Sequence, residues 1–256
     1  MSLTKFRISL LLGLAVLCFS IPSWAQDHWS WPEKAKNLKV LPKDISKDNL
    51  RDAMHGFSRG LGVHCAHCHE GEEGKPLSTY DFASDKNPNK DRAREMMRML
   101  GDIHEHLKKI QPSGDRAVRV TCYTCHHGRP RPLTLSAELT ESFRKGGVDA
   151  SLSTYDQLRE NYYGRGVYDF DSEEALNVLG YTVLGTKDYE GAIRVFKMNA
   201  EKFPDSGNVW DSLAEAYMKS GDMKQAEEYY EKSLKLEPRN RNAAEMLKKI
   251  RGAGGD

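Results

Sequence analysis

Two short segments carry most of the chemistry this chain could do: Cys65-Ala66-His67-Cys68-His69 and Cys122-Tyr123-Thr124-Cys125-His126. Both read C-x-x-C-H, the spacing of a haem c attachment. Two thiols three positions apart on one helical turn reach the two vinyl groups of one porphyrin. The His after the second Cys then sits under the iron as its proximal ligand. The spacing predicts two covalently bound haem c groups, with thioethers at Cys65, Cys68, Cys122 and Cys125 and with His69 and His126 on the irons. Zinc also binds paired cysteines, but it needs no His at the same place after both pairs. A thioredoxin-like redox pair belongs in a βαβ setting, and none is legible here. Disulfides leave both histidines unexplained.

An iron that only carries electrons keeps a second axial ligand, often Met or His. The elements that must supply it are two helices. Residues 48–61 place Leu50, Met54, Phe57 and Leu61 on one apolar face. Gly62 follows as a stop, just before the first haem motif. Met54 is the only thioether on that face and is the expected sixth ligand of the first haem; the alternative is that it is plain core. His55 points to a neighbouring face, and His64 and His67 are expected to be exposed. Residues 91–110 form the second helix, with an apolar stripe of Met96, Met99, Leu100, Ile103, Leu107 and Ile110. Met99 is central on it and is the first candidate for the second haem, followed by His104 and Met97, then His106. Arg129 and Arg131 close the haem region, where they suit either haem propionates or simple surface exposure.

These residues resemble a known family. Phe57-Ser58-Arg59-Gly60-Leu61-Gly62-Val63-His64-Cys65-Ala66-His67-Cys68-His69 is similar to a haem segment of the tetrahaem cytochrome subunit of photosynthetic reaction centres. So are Met96-Met97-Arg98-Met99-Leu100-Gly101-Asp102-Ile103 and Val120-Thr121-Cys122-Tyr123-Thr124-Cys125-His126-His127-Gly128. The resemblance implies that a helix, a turn and the C-x-x-C-H motif grip each haem, and that the helix often supplies a Met. By position it implies Met54 as a ligand. It leaves the second haem's ligand open, because one haem of that family is held by two histidines. The similarity covers roughly residues 40–132. Two haem motifs stand here against four in that subunit, so the resemblance speaks for fold and haem binding and does not establish photosynthesis.

The N-terminus reads as a secretory signal. Lys5 and Arg7 precede an apolar run over residues 8–21, and Ser23-Trp24-Ala25 resembles a small-x-small cleavage site. The run is short for a membrane span. The expectation is a periplasmic protein that meets a membrane only through a partner or through an uncleaved N-terminal segment. Cys18 leaves with the signal; Leu17 stands before it where a lipoprotein site wants a small residue. The 256 residues are 39% hydrophobic and 29% charged with a net charge of +1. That composition suits a soluble globular chain and gives no reason to expect a nucleic-acid partner.

Residues 173–240 repeat with a 34-residue period. Trp210, Leu213, Ala214, Tyr217, Gly221, Ala226, Tyr230 and Pro238 follow the tetratricopeptide pattern, and Leu176, Leu179, Gly180, Ala192, Phe196 and Pro204 echo it one period earlier. Residues 240–250 read as a capping helix. The expected organisation is a signal at 1–25, a dihaem domain at 26–135, a linker at 136–172 with one short helix from about Ala137, and repeats at 173–256. The expected fold class is all-α. The function expected is electron transfer, with the repeats docking to a redox protein or membrane electron-transfer complex. A dihaem peroxidase, which needs one open iron site, and a haem-based redox sensor or scaffold are the rival readings.

Overall fold

The computed structural model describes residues 29–110 and 118–253. The expected signal segment, Cys18 included, lies outside the described residues. The protein is 66% helical, with nine α-helices and no strands among the described residues. The all-α expectation therefore holds. The described residues form two compact units, one within Met1–Gly56 and His64–Val118 and the other within Phe57–Val63 and Arg119–Asp256.

The first unit contains most of α1 (Lys47–Leu61), 3-10 turns at Cys65–His67 and Leu77–Thr79, and α2 (Pro88–Ile110). Ser46 caps α1 by accepting from the Asn49 N–H at 3.3 Å. α2 starts earlier than its apolar stripe suggested, because Pro88 fits a first turn where no N–H is needed. Asn87 just before it accepts from the Asn89 N–H at 3.0 Å. The Asn87 and Asn89 amides also donate to the carbonyl of His67, at 3.1 and 2.9 Å, tying the start of α2 to the first haem motif. Asp85 lies in a nest of cations, 2.6 Å from Lys39 and 2.9 Å from the guanidinium of the buried Arg94. Its carboxyl is held far below the usual carboxylate range by Asn37, Lys39 and Arg94.

The first unit has almost no apolar core of its own. Among its described residues Leu50 is the one buried apolar side chain. The stripe of α2 is only partly covered: Leu100, Ile103 and Leu107 are half-buried, while Met96 is 42% exposed and Met99 46%. An amphipathic helix that buries little against its own chain lacks the contacts that normally stabilise it.

The second unit is densely packed. It comprises α3 (Cys122–His126), α4 (Leu135–Tyr162), α5 (Glu174–Gly185), α6 (Tyr189–Lys202), α7 (Gly207–Ser220), α8 (Met223–Leu236) and α9 (Arg241–Ala253). α5 to α8 are the two expected repeats and α9 the expected cap. Repeat positions fill the interior: Leu176, Leu179, Ala192, Phe196, Leu213, Ala214, Ala226 and Tyr230 are all buried. Asp188 and Asp222, one period apart, cap α6 and α8 in the same way, accepting from Gly191 and Gln225 N–H groups at 2.9 and 3.1 Å. Gly180 lets the Phe196 ring come so close that an added Cβ would lie 2.4 Å from it.

Residues 135–162 depart from the expected linker with one short helix. They form α4, a 28-residue run broken at Gly147, whose φ of 75° and ψ of −165° are not helical. The two limbs turn back on each other. Ser151 Oγ donates to the Leu139 carbonyl at 2.9 Å, and the Ser142 and Thr154 hydroxyls meet at 2.8 Å. Leu135, Leu139, Val148 and Tyr155 are buried in the same core as α5 and α6. The Gly146-Gly147 pair reads as a break in sequence but serves as the bend of a helical hairpin. That hairpin gives the array a third layer, which a stack of two repeats needs for stability.

Candidate haem-binding segments

In the first motif the backbone turns once. The Cys68 and His69 N–H groups donate to the Cys65 carbonyl at 3.2 and 2.9 Å. Cys65 and Cys68 are half-buried free thiols, and burial pushes the Cys68 thiol up. His69 is half-buried, and its Nδ1 is enclosed without a hydrogen-bond partner. Burial first, and the nearby Lys90 second, lower its pKa and favour the neutral imidazole that binds metals. Its ring packs edge-on to Phe82 at 5.0 Å, and Phe82 in turn meets Trp29 at 5.4 Å and Tyr80 at 5.5 Å. His64 is exposed, as expected, 3.7 Å from Glu73. His67 is half-buried rather than exposed, because Asn87 and Asn89 hold its carbonyl.

The second motif is α3. Thr121 and Thr124 form a reciprocal cap at its start, with the Thr121 N–H donating to Thr124 Oγ1 at 2.9 Å. His127 ends it in a left-handed conformation. Cys122 is half-buried and Cys125 exposed, and burial pushes the Cys122 thiol up. His126 is only 8% exposed, and its Nδ1 is 2.9 Å from the Arg129 carbonyl. A metal-bound histidine usually fixes its ring in this way, with one nitrogen donating to a carbonyl and the other turned to the metal. The glycine-rich end of α1 lies flush against this motif. Gly128 N–H donates to the Gly60 carbonyl at 3.0 Å, and an added Cβ on Gly62, whose φ is 63°, would fall 2.0 Å from the Gly128 oxygen. In sequence, Gly62 reads only as a helix stop before the first motif; this second role depends on a contact distant along the chain.

Among the candidate sixth ligands, Met54 is half-buried and Met99 exposed; Met97 and His104 are half-buried and His106 is exposed. Arg129 and Arg131 both engage α4: Arg129 is buried beside Glu138, and Arg131 is exposed and 2.9 Å from Glu141. No three His, Cys, Asp or Glu side chains converge on one metal position among the described residues. A haem asks for less, since the porphyrin nitrogens supply four of its ligands. The unpartnered His69 nitrogen, the oriented His126 and the exposed Met96 and Met99 of α2 all suit an apolar, iron-bearing macrocycle.

Two C-x-x-C-H turns with prepared histidines define a c-type cytochrome. A family model described as the photosynthetic reaction centre cytochrome c subunit matches residues 16–163, and one for the tetratricopeptide repeat matches 207–240. The chain belongs to the photosynthetic reaction centre cytochrome c subunit family, and membership implies covalently bound haem c. The match extends beyond residues 40–132 and ends as α4 ends. The chain is 30% identical over 112 residues to the photosynthetic reaction center cytochrome c subunit of Rubrivivax gelatinosus, covering 37% of this chain and 28% of that protein. It is 29% identical over 111 residues to cytochrome c-554 of Chloroflexus aurantiacus, covering 43% and 24%. It thus spans about a quarter of the length of these relatives. Among solved structures, the first TPR of Spaghetti (RPAP3) bound to an HSP90 peptide is 18% identical, with a TM-score of 0.35 over 48% of this chain and 91% of that one. The first TPR domain of human RPAP3 gives the same score over 46% and 88%.

Proposed function

We propose that this protein is an exported dihaem electron carrier whose repeats dock it to a redox protein or membrane electron-transfer complex. Thioethers at Cys65, Cys68, Cys122 and Cys125 hold two haem c groups, with His69 and His126 as proximal ligands and Met54 and Met99 as the sixth ligands. The observation that carries this reading is the near-absence of an apolar core in the first unit beside an exposed Met-rich stripe. Covalently tied porphyrin supplies the missing apolar surface, and its iron supplies one-electron chemistry. The residues of the chain attach, orient and shield it. A thioether ligand favours the ferrous state and raises the potential. The repeats carry no clustered ligands, and stacked helical hairpins of this kind present extended protein-binding surfaces. A periplasmic location follows from the signal-like N-terminus; among the described residues no helix is long and apolar enough to cross a membrane.

Optical spectroscopy tests the carrier reading against a peroxidase. Two low-spin, six-coordinate haems that bind neither cyanide nor peroxide are the expected result. A high-spin haem that takes up cyanide at once contradicts it and favours an enzyme with an open iron site.

A further inference from the structure

His126 is oriented by a backbone carbonyl on a loop that is unusually placed. His127 and Gly128 are both in the left-handed region, at φ of 50° and 76°. Such a turn persists only when its surroundings hold it. The next residue does the holding. Arg129 is 7% exposed, and its N–H donates to the His126 carbonyl at 2.9 Å while its own carbonyl meets His126 Nδ1. Its guanidinium donates to the Tyr168 hydroxyl and lies 3.6 Å from Glu138 Oε1 and 4.1 Å over the Tyr168 ring. Tyr168 closes the triangle by donating to Glu138 at 3.1 Å. The Tyr168 ring packs on Tyr162 and on the buried Phe170 of the repeat core, at 5.5 and 5.9 Å.

We propose that Arg129, clamped by Glu138 of α4 and by Tyr168, is a positioning residue that sets the orientation of His126 and couples the haem it ligates to the packing of the repeat array. The inference rests on His126 being an iron ligand. The clamp fixes the loop and hence the carbonyl that holds His126 Nδ1, and it places a compensated pair of charges close to the ligand. The signs of its effects follow. Glu138→Gln leaves the arginine cation without its anion; that disfavours ferric iron and raises the potential. Arg129→Gln leaves the carboxylate instead and lowers it. Arg129→Lys keeps the charge and restores most of the wild-type potential.

The test is a spectroelectrochemical titration of the full-length holoprotein and these three variants. Electron paramagnetic resonance of the ferric haems, and mass mapping of haem on the Cys122 and Cys125 peptide, are run on the same samples. The expected result is at least a threefold shift, in opposite directions for Glu138→Gln and Arg129→Gln, in the equilibrium of one haem with a one-electron mediator. That haem's g-values move as well. A merely structural clamp would lower thermal stability in both variants and leave potentials and g-values in place. That outcome, with haem present on the peptide, overturns the proposal. Loss of haem from this peptide in Arg129→Gln but not in Arg129→Lys supports it. A wild-type peptide without haem removes the reading of His126 as a ligand, and the proposal with it.

Discussion

His69 and His126 each follow a Cys-x-x-Cys pair but are prepared differently. His126 has one nitrogen committed to a carbonyl, whereas His69 is enclosed with Nδ1 unpartnered. The roles proposed for them are legible in sequence because covalent haem attachment requires a local spacing. Arg129 is not legible in the same way, because its partner Tyr168 lies 39 residues along the chain. The proposed distal ligands, Met54 and Met99, give a sharper prediction at this scale. Met54→Ala should leave both haems attached, lower one reduction potential and open one iron to cyanide, measured by titration and absorbance. Met99→Ala should do the same to the other haem. An unchanged potential and no cyanide binding in either variant assigns that Met to packing.

Helices with an uninterrupted apolar period are legible in sequence: α1 and α2 begin one and three residues before their periodic stretches and α9 overlaps the expected capping helix, whereas the repeat pattern marks the region of α5 to α8 without helix bounds. α4 is not, because Gly146-Gly147 interrupts the pattern and hides two limbs that pack on each other. The role of Gly62 is hidden likewise, since the oxygen it must clear belongs to Gly128. Gly62→Ala should destabilise the second unit by about 2–4 kcal/mol, combining a left-handed backbone with a clash against a carbonyl. Gly180→Ala should cost about 1–3 kcal/mol through the Phe196 ring alone. Chemical unfolding followed at 222 nm measures both, and an effect below about 0.5 kcal/mol at either position contradicts the packing described.

Across the molecule the two units differ in what holds them. The second buries the repeat core, while the first relies on Leu50, the Asp85 charge cluster and, on this account, haem. Replacing all four motif cysteines by Ser should give a colourless chain in which limited proteolysis cuts first within residues 29–56 and 64–110 and spares the repeats. Equal resistance of the two units contradicts that division. Asp85 contributes to the acid response. Its folded pKa lies below its unfolded one, so it contributes stability above about pH 4 that is lost as pH falls through the acid range. Asp85→Asn should therefore flatten the loss of stability below about pH 5, read from urea midpoints. A slope equal to that of the wild type removes Asp85 as its source.

Two haems on one chain are expected, and a pyridine haemochrome assay combined with intact mass tests this most directly. Protein made in a host that matures haem c should give two haems per chain and a mass increased by two covalently attached groups. One haem or none, or zinc bound to the cysteines instead of iron, contradicts the account.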